Sequence, residues 1–406
     1  MKKKTICIIG LGYIGLPTAA LLSNNGYSVF GVDNNTKIVS TINKGKTHIA
    51  EPDLSKIVKS SVLKGKLKAF TKIQPCDVYI ICVPTPFHEN HKIPLPNIDY
   101  VLSATRSIAP LLKFGDLVIL ESTSPVGTTE KVRKELIRLN SNINGVHIAY
   151  CPERVLPGKI MTEIITNDRI VGGITPDSAK VVADFYRGFV KGKIFETDQK
   201  TAEMCKLTEN SFRDLNIAFA NELSMICDKQ RIDIWQLINL ANKHPRVNIL
   251  QPGIGVGGHC IAVDPWFIIS QDKKNSKLIH TARKVNNHKT EWVINKIKKT
   301  LKKKFLKKNK KIKIACLGLT FKADVDDLRE SRALRVARIL LQEGFDVSGV
   351  DPNVGTNVGF PILNLSKAIK WADIICVLVR HHQFLIPKTK KQLIKLEALD
   401  FCGVLK

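Results

Sequence analysis

The chain has 406 residues, 44% of them hydrophobic and 24% charged, which excludes a disordered protein and favours two or three globular domains. Its formal net charge of +27 has two interpretations, a polyanion-binding surface or lysine on solvated faces. We favour the second, because lysine is a point charge and no aromatic residues alternate with the basic ones, so no nucleic-acid partner is expected. No stretch reaches the roughly 18 apolar residues of a membrane span.

The ten cysteines include neither a Cys-x-x-Cys pair nor a Cys/His cluster at zinc spacing, so no metal site is predicted. Several lie in apolar, strand-like runs, which is typical of core residues in a reducing cytoplasm. These are Cys7, Cys82, Cys316 and Cys376. The basic and then apolar N-terminus mimics a signal peptide, but glycines and Pro17 interrupt it, so we expect a cytoplasmic protein without membrane insertion.

A dinucleotide-binding fingerprint opens the chain. An apolar strand over residues 5–9 leads into the sequence GLGYIG and a helix, and the next predicted strand ends in Asp33. The glycines of the motif are Gly10, Gly12 and Gly15. They allow a tight turn and the approach of a pyrophosphate to the helix N-terminus, where N–H groups favour anions. Asp33 would accept hydrogen bonds from the adenosine ribose and repel a 2′-phosphate, so the predicted cofactor is NAD.

Three further predicted strands end in polar loops, at the edge where doubly wound sheets bind ligands. The loops are residues 84–86 with Thr85, residues 121–129 with Thr123 and Thr129, and residues 151–154 with Glu153 and Arg154. The hydroxyl-rich second loop suits phosphate, ribose or water, and it equally suits capping of the helix that follows it. We assign these segments to one NAD-binding Rossmann domain over residues 1–195.

A long helix is predicted next, because residues 201–230 contain neither proline nor glycine and would form about eight turns. Lys206, Asn210 and Arg213 fall at i, i+4 and i+7 and therefore share one face. Such a polar stripe is either a solvated face or a functional one, and the helix alone does not decide between them. Two more predicted helices complete a central region, residues 196–308, whose last helix ends in a lysine run before the next strand.

The stretch PGIGVGGHCIAVDP, residues 252–265, has four glycines within six residues, followed by Cys260 and Asp264. Glycine lets a ligand lie against bare backbone, and a thiolate beside such a loop can attack a bound carbon. The alternative is a tight turn with a buried cysteine, since unpaired cysteine is mostly a core residue. The NAD fingerprint upstream favours the nucleophile.

The α/β pattern restarts at residue 312. A strand, the loop GLTFK, a helix and a strand ending in GVD repeat the N-terminal order, in which GLG is followed by GVD. Because the glycine triplet is incomplete, we expect this domain to hold a phosphorylated or nucleotide substrate rather than a dinucleotide. The predicted fold class is therefore α/β, with two Rossmann-like doubly wound domains joined by a central long-helix region, and the C-terminal domain spans residues 309–406.

An NAD site predicts hydride transfer, and a cysteine nucleophile has a use if an aldehyde is oxidised further. Thiolate addition gives a thiohemiacetal, loss of hydride gives a thioester, and water releases an acid. Lys206 and Asn210 would stabilise the oxyanion, and Asp264 would act as a base or position water. These residues together predict a four-electron alcohol-to-carboxylate dehydrogenase.

Long blocks of the sequence resemble the UDP-glucose/GDP-mannose dehydrogenase family over essentially the whole chain. They include GLGYIGLPTAA, ILESTSPVGTTEK, IAYCPERVLPG, TAEMCKLTENSFRDLNIAFANELS, ANKHPRVNILQPGIGVGGHCIAVDPWF and FKADVDDLRES. The resemblance implies NAD-dependent oxidation of a UDP-sugar to its uronate, for polysaccharide biosynthesis, and a homodimer formed through the central helices.

The resemblance also implies roles for individual residues. The implied catalytic residues are Cys260 as nucleophile, Lys206 as proton donor or acceptor, and Asn210, Asp264, Glu153 and Thr123 near the reacting carbon. The implied cofactor residues are Gly10, Gly12, Tyr13, Ile14, Gly15, Asp33, Thr85, Thr129 and, from the C-terminal domain, Arg329. The implied substrate residues are Arg154, Val155, Lys206, Asn210, Arg213, His244, Arg246, Gly257, Phe321 and Lys322.

Three departures from the family's pattern bear on the substrate. Cys402 stands where the family has a lysine that contacts substrate, Arg332 stands where proline is usual, and residues 88–96 differ in length. They affect the expected affinity more than the reaction type. Spacing does not identify the sugar, so several UDP-sugars stay open, and a polyanion-binding protein built on a decayed dehydrogenase is the alternative of another class.

Overall fold

The computed structural model describes residues 4–88, 93–141, 143–305, 311–355 and 358–406. The chain divides into two compact units, which are Met1–Thr208 with Trp266–Gln271, and Glu209–Pro265 with Asp272–Lys406. The helix Gln199–Gln230 begins in the first unit and ends in the second. Across the described ranges, no helix combines the length and the apolar character that crossing a bilayer requires.

An eight-stranded sheet forms the centre of the first unit. Its strands lie in the spatial order Ile194–Asp198, Arg169–Gly173, His147–Tyr150, Leu117–Leu120, Val78–Ile81, Thr5–Ile9, Ser28–Val32 and Leu67–Phe70. Neighbouring strands are parallel, except that Arg169–Gly173 runs antiparallel to His147–Tyr150. A separate antiparallel pair joins Phe87–His88 to Leu95–Pro96.

Helices cover both faces of this sheet, because alternate residues of each strand enter two separate cores. In the first strand, Ile6 and Ile8 pack into one core, while Cys7 and Ile9 pack into the other. The helices are Gly15–Asn24, Thr36–Asn43, Leu54–Leu63, Asp99–Ile108, Thr128–Leu139, Ile160–Thr166 and Pro176–Arg187, with a 3₁₀ turn at Ala109–Leu111.

The second unit contains a four-stranded parallel sheet built in the same way. Its strands lie in the order Asp346–Val350, Lys313–Leu317, Ile374–Val377 and Leu399–Asp400. Cys316 packs into one core and Leu317 into the other, so this sheet is also covered on both faces. The helices are Ile234–Ala241, Lys277–Phe305, Arg332–Gln342, Leu365–Trp371, His382–Leu385 and Pro387–Lys395, and the helix Asp264–Gln271 starts in this unit.

The predicted fold class is confirmed, and the long helix predicted over residues 201–230 spans Gln199–Gln230. The last helix of the predicted central region is described as Lys277–Phe305. Residues 306–308, and with them the predicted domain boundary after residue 308, lie outside the described residues. The division into three domains therefore stays a prediction. The helix Asp264–Gln271, which follows the glycine loop directly, was not predicted.

Candidate active site

The GLGYIG motif forms a tight turn whose three glycines have different tasks. A Cβ on Gly10 would lie 2.6 Å from the Cys82 carbonyl oxygen, and one on Gly15 would lie 1.8 Å from the Gly10 oxygen. These two positions therefore require glycine for packing. A Cβ on Gly12 would meet no heavy atom within 4 Å. Gly12 thus leaves open the side of the turn on which a pyrophosphate is expected.

The helix Gly15–Asn24 begins without a side-chain cap and without an acidic residue in its first turn. The Leu16 N–H donates to the Gly12 carbonyl at 3.1 Å and Pro17 has no N–H, so the terminus favours an anion mainly through its dipole. The partly exposed Tyr13 and Ile14 flank this terminus. An open helix end behind a glycine turn fits the diphosphate of NAD.

Asp33 lies at the end of the strand Ser28–Val32 and is partly exposed. One carboxylate oxygen accepts the N–H of Leu11 at 3.1 Å, and the other accepts the N–H of Asn35 at 2.9 Å. These bonds aim the carboxylate across the glycine turn. The position suits a hydrogen bond to a ribose hydroxyl and disfavours a phosphate there.

The two hydroxyl-bearing loops are tied to each other and to the long helix. Thr85 donates its hydroxyl to the Thr123 carbonyl at 2.6 Å. Glu203 accepts the backbone N–H groups of Gly127 and Thr129 at 2.5 and 2.7 Å, and the Thr129 hydroxyl at 2.7 Å. Burial raises the pKa of Glu203, although these donors oppose the shift. Thr129 is fully buried, so its hydroxyl proton is committed within the protein.

Glu153 belongs to a buried ionic cluster that the sequence did not reveal. Its side chain accepts Arg169 Nη2 at 2.9 Å and the Arg154 N–H at 2.7 Å. Arg169 also lies 3.5 Å from Glu121, which accepts the Tyr186 hydroxyl at 2.6 Å. Burial raises the pKa of Glu121, and the Arg169 charge opposes this. The Arg169 guanidinium therefore contacts two carboxylates, those of Glu121 and Glu153, and Glu153 is the residue predicted to lie near the reacting carbon.

Lys206 lies on the first part of the long helix and donates its ammonium to the Glu153 carbonyl at 2.6 Å. Lys206 is partly exposed, so the remaining ammonium protons can reach a ligand. The structure thus brings two of the predicted catalytic residues of the first unit together. It also explains why the polar stripe on this helix is not merely solvated at position 206.

The glycine loop of the second unit is held by hydrogen bonds at three of its residues. Asn221 accepts the Gly253 N–H at 2.9 Å, Thr290 donates to the Ile254 carbonyl at 2.8 Å, and Arg332 donates to the Val256 carbonyl at 2.9 Å. Arg332, the residue found in place of the usual proline, therefore has a structural role here. The loop is fixed before it reaches Cys260.

Two glycines of this loop press against the segment that precedes the helix Arg332–Gln342. A Cβ on Gly257 would lie 2.4 Å from the Glu330 oxygen, and one on Gly258 would lie 2.7 Å from the Phe321 ring. Gly258 also has a φ of +82°, which favours glycine. The predicted substrate residues Gly257 and Phe321 are therefore neighbours.

Cys260 is exposed at the end of the glycine loop, just before a helix. Its carbonyl accepts the N–H groups of Val263 and Asp264 at 3.0 and 2.8 Å, which form the turn that starts the helix Asp264–Gln271. Asn210 donates its amide to the Asp264 carboxylate at 2.5 Å. Asp264 is 3% and Asn210 9% exposed, so this pair is a fixed polar group beside an accessible thiol.

The remaining predicted residues are exposed or partly buried, and two of the arginines already contact other residues of the protein. Arg213, His244 and Arg246 are exposed, while Val155, Phe321 and Lys322 are partly buried. Arg154 donates to the Asp168 carbonyl at 3.0 Å. Arg329 forms a bidentate pair with Asp327, with contacts of 2.7 to 3.1 Å. The guanidinium of Arg329 is thus engaged by Asp327, and its role toward NAD stays a prediction.

The second Rossmann-like turn is closed by a histidine. Asp351, 8% exposed, accepts the Leu319 N–H at 2.7 Å and lies 3.1 Å from Nε2 of the fully buried His381. Nδ1 of His381 accepts the Asp324 N–H at 3.0 Å, so Nε2 carries the proton that Asp351 receives. Burial disfavours the ionised carboxylate, yet these donors hold the pKa of Asp351 below its usual value.

Three buried residues around the site, Glu121, Arg169 and Glu203, were given no role by the sequence analysis. There was little reason in the sequence to single them out, because Glu203 looks like an ordinary charged residue of a helix and Glu121 like an ordinary residue of a loop. Arg169 had the clearest signal, a charge at the start of a strand whose next residues are apolar. In the described residues, no group of three or more His, Cys, Asp or Glu side chains could hold a metal ion.

Family models match the chain in three consecutive parts. The NAD-binding domain of the UDP-glucose/GDP-mannose dehydrogenase family matches residues 4–190, its central domain matches residues 200–288, and its UDP-binding domain matches residues 315–404. The matched parts contain the GLGYIG turn, the glycine loop with Cys260, and the His381-closed turn respectively.

Characterised relatives cover nearly the whole chain. A UDP-N-acetyl-D-mannosamine dehydrogenase of Yersinia pestis is 51% identical over 402 residues, 95% of each chain. An NDP-N-acetyl-D-galactosaminuronic acid dehydrogenase of Ralstonia nicotianae is 48% identical over 94% of this chain and 92% of the relative. The solved UDP-N-acetyl-mannosamine dehydrogenase of Staphylococcus aureus has a TM-score of 0.89 at 40% identity, covering 99% of this chain and 96% of the other. The chain therefore belongs to the UDP-glucose/GDP-mannose dehydrogenase family.

Proposed function

We propose that the chain oxidises UDP-N-acetyl-D-mannosamine at C6 to UDP-N-acetyl-D-mannosaminuronate, in an NAD-dependent four-electron reaction that passes through a Cys260 thioester. The observation that carries the chemistry is the accessible Cys260 thiol beside the buried Asn210–Asp264 pair. The N-acetylmannosamine substrate is supported by the 51% identity to the Yersinia pestis enzyme over 95% of both chains.

The residues of the first unit prepare the cofactor and the proton transfers. The helix terminus at Gly15 and the carboxylate of Asp33 would hold NAD, with Tyr13, Ile14 and Thr85 around it, while Thr129, also predicted for the cofactor, keeps its hydroxyl on Glu203. NAD supplies the hydride acceptor for both oxidations. Lys206, held by the Glu153 carbonyl, is assigned the role of proton donor or acceptor at the C6 oxygen, and Arg169 holds the Glu153 carboxylate next to it.

Cys260 carries the second half of the reaction. Its thiolate forms a bond to the aldehyde carbon, and the carbonyl electron pair moves to oxygen to give a thiohemiacetal. Loss of hydride leaves a thioester. Water then attacks the carbonyl carbon, the C–S bond breaks, and the thiolate leaves as the carboxylate forms. Asp264 is placed by Asn210 to orient that water or take its proton.

A panel of UDP-sugars tests the reaction and the sugar together. We expect about two NADH per UDP-N-acetylmannosamine consumed, from the stoichiometry of a four-electron oxidation. UDP-glucose and UDP-N-acetylglucosamine should react far more slowly. One NADH per sugar would remove the thioester route, and no NADH with any sugar would contradict the proposed activity.

A second candidate is the same reaction on another UDP-sugar. It is favoured by the 48% identity to the Ralstonia nicotianae enzyme and by Cys402, at a position where the family resemblance implies a lysine. Cys402 lies within the core of the second sheet at 9% exposure, where it supplies no charge to a nucleotide. Faster turnover of a UDP-N-acetylgalactosamine probe in the same panel would select this candidate.

We also propose that the chain forms a homodimer through its long helix. Phe212, Phe219 and Ile226 repeat every seven residues and are 67%, 53% and 45% exposed, so they form an apolar strip on one face. Burial in a second copy would remove this strip from water. Light scattering should report a dimer for the wild type and a monomer for Phe219→Asp, and a monomeric wild type would contradict the proposal.

The three predicted regions receive corresponding roles. Residues 1–195 would bind NAD, residues 196–308 would supply the dimer contacts and catalytic residues, and residues 309–406 would bind the UDP group, with Phe321 and Lys322 among their contacts.

A cytoplasmic location is supported by the ten cysteines, since none in the described residues is joined in a disulfide. The polyanion-binding alternative predicts retention on heparin that collapses with salt.

A further inference from the structure

A cavity of about 210 Å³ lies within the second unit, behind the glycine loop. Its walls come from the end of the helix Gln199–Gln230, the start of Ile234–Ala241, the helix Lys277–Phe305 and the last strand. The aromatic side chains of Trp235, Trp292 and Phe401 line it. None of the residues proposed for NAD, for the sugar or for catalysis contributes to this cavity.

Lys289 is the unusual residue of the cavity. It is 3% exposed, donates to the Ser224 hydroxyl at 2.6 Å, and holds its ammonium 3.9 Å from the centre of the Trp292 ring. Both partners are uncharged. Within the described residues, no carboxylate forms an ion pair with Lys289. A buried cation without a counter-ion is expensive, so this arrangement is unlike an ordinary structural lysine.

The other charged groups that face Lys289 already have partners. Asp228 pairs with Lys296 at 2.6 Å, and Asp233 pairs with Lys406 at 2.9 Å. The carboxylate of Asp400 accepts the N–H groups of Cys402, Gly403 and Leu405 at 2.8 to 3.0 Å. Each acid in the cavity wall is therefore committed to another partner. Among the residues that the structure describes, Lys289 feels the charge of Asp228 but has no ion-paired carboxylate of its own.

We propose that this cavity binds a small aromatic carboxylate, whose carboxylate pairs with Lys289 and whose ring lies among Trp235, Trp292 and Phe401. A cavity of about 150 Å³ holds benzene, so the space fits one ring with its acid group. The anion supplies the missing charge and an acceptor for the free ammonium protons, while the ring replaces water against the aromatic walls.

The site is linked to the loop that carries Cys260. Pro252 lines the cavity, and the next residue, Gly253, donates its N–H to Asn221 at 2.9 Å. Thr290, adjacent to Lys289 on the same helix, donates to the Ile254 carbonyl at 2.8 Å. An occupant would therefore order both anchors of the glycine loop. Binding itself is independent of the proposed function.

Protonation gives the site a signature. Burial lowers the pKa of Lys289 to about 7, with Asp228 opposing and Lys296 reinforcing this shift. A bound carboxylate favours the ammonium form and raises that pKa. Binding should therefore take up protons near pH 8, and affinity should fall about tenfold per pH unit above about pH 7.

The test uses benzoate as the probe and titration calorimetry on the full chain. Wild type should bind one benzoate saturably at pH 6.5, with proton uptake at pH 8 seen as a dependence on buffer ionisation enthalpy. Lys289→Met should weaken binding by more than about tenfold. Lys299→Met, an exposed lysine on the same helix, should bind like the wild type. Benzylamine, the cationic counterpart of the probe, should not bind.

Several results would overturn the proposal. They are absence of saturable benzoate binding at pH 6.5, equal binding by Lys289→Met, or tighter binding of benzylamine than of benzoate. If Lys289→Met does not fold, the comparison of benzoate with benzylamine on the wild type decides instead.

Discussion

The two Rossmann-like turns start alike and end differently. In the first, the Leu11 N–H donates to Asp33 at 3.1 Å, and in the second the Leu319 N–H donates to Asp351 at 2.7 Å. Asp33 stays partly exposed, whereas Asp351 is 8% exposed and receives the Nε2 proton of His381. The same acid at the end of the second strand is therefore open in one turn and sealed by a protein side chain in the other.

The glycines of the two turns differ as well. The third glycine position of the motif is Gly15 in the first turn and is taken by Ala323 in the second. A Cβ at Gly15 would collide with the Gly10 oxygen, so the first turn is tighter than one that accepts alanine. Two turns with the same order of strands therefore need not bind the same ligand. Dinucleotide binding needs an open acid as well as the tight turn, and only the first turn has both.

Gly15→Ala is expected to have the largest effect. The added Cβ would lie 1.8 Å from a backbone oxygen that has no room to move, so the first turn must open. We expect a loss of at least about 3 kcal/mol in the free energy of unfolding, or no soluble protein. Ala323→Gly, the reciprocal change, should cost about 1 kcal/mol or less. Chemical denaturation measures both, and similar losses would contradict the difference between the turns.

His381→Ala comes next. It removes a fully buried ring and leaves the Asp351 carboxylate with one donor fewer, so the free energy of unfolding should fall by about 2–3 kcal/mol. NAD affinity should not change. The neighbouring His382→Ala, at an exposed side chain, is the control and should lose less than about 0.5 kcal/mol. A drop in NAD affinity with His381→Ala would assign the second turn to the cofactor.

Asp33→Asn tests the open acid by calorimetry with NAD. Loss of a charged acceptor for the ribose should weaken NAD binding by about tenfold to a hundredfold. It should also reduce the preference for NAD over NADP. Asp351→Asn should leave NAD affinity within about twofold of the wild type, since its oxygens are occupied inside the protein. Equal weakening by the two substitutions would mean that both turns meet the dinucleotide.

Gly12→Ala is the mildest of these changes for folding. Its Cβ meets no protein atom within 4 Å, so the free energy of unfolding should change by less than about 1 kcal/mol. The methyl group would nevertheless stand where the pyrophosphate is expected, and NAD should bind about tenfold more weakly. Unaltered NAD affinity would show that the diphosphate does not approach this side of the turn.

The fold class followed from the sequence, because local patterns indicate it. Strands with apolar residues throughout, such as Thr5–Ile9, indicate a sheet covered on both faces, and a glycine turn after the first strand indicates the Rossmann order. Cys260 and Asp33 could be named as candidates from the sequence, since Cys260 follows a glycine-rich loop and Asp33 ends the strand after the glycine motif, and their roles stay predictions.

Residues that act through burial could not be found in this way. Arg169 joins Glu121 and Glu153 from a different strand, and His381 reaches Asp351 from a position 30 residues later. Such pairs depend on sheet packing over long sequence separations, which spacing does not encode. The missing counter-ion of Lys289 is invisible for the same reason, because the sequence shows many acids and lysines but not which of them pair.

The most direct test of the account is to quench the reaction with UDP-N-acetylmannosamine and NAD during turnover and to examine the peptide that contains Cys260 by mass spectrometry. We predict a uronoyl thioester on Cys260 in the wild type, and no acid product from Cys260→Ser, which should stall at the second oxidation. Acid production by Cys260→Ser at the wild-type rate, with Cys260 unmodified during turnover, would contradict the thioester mechanism.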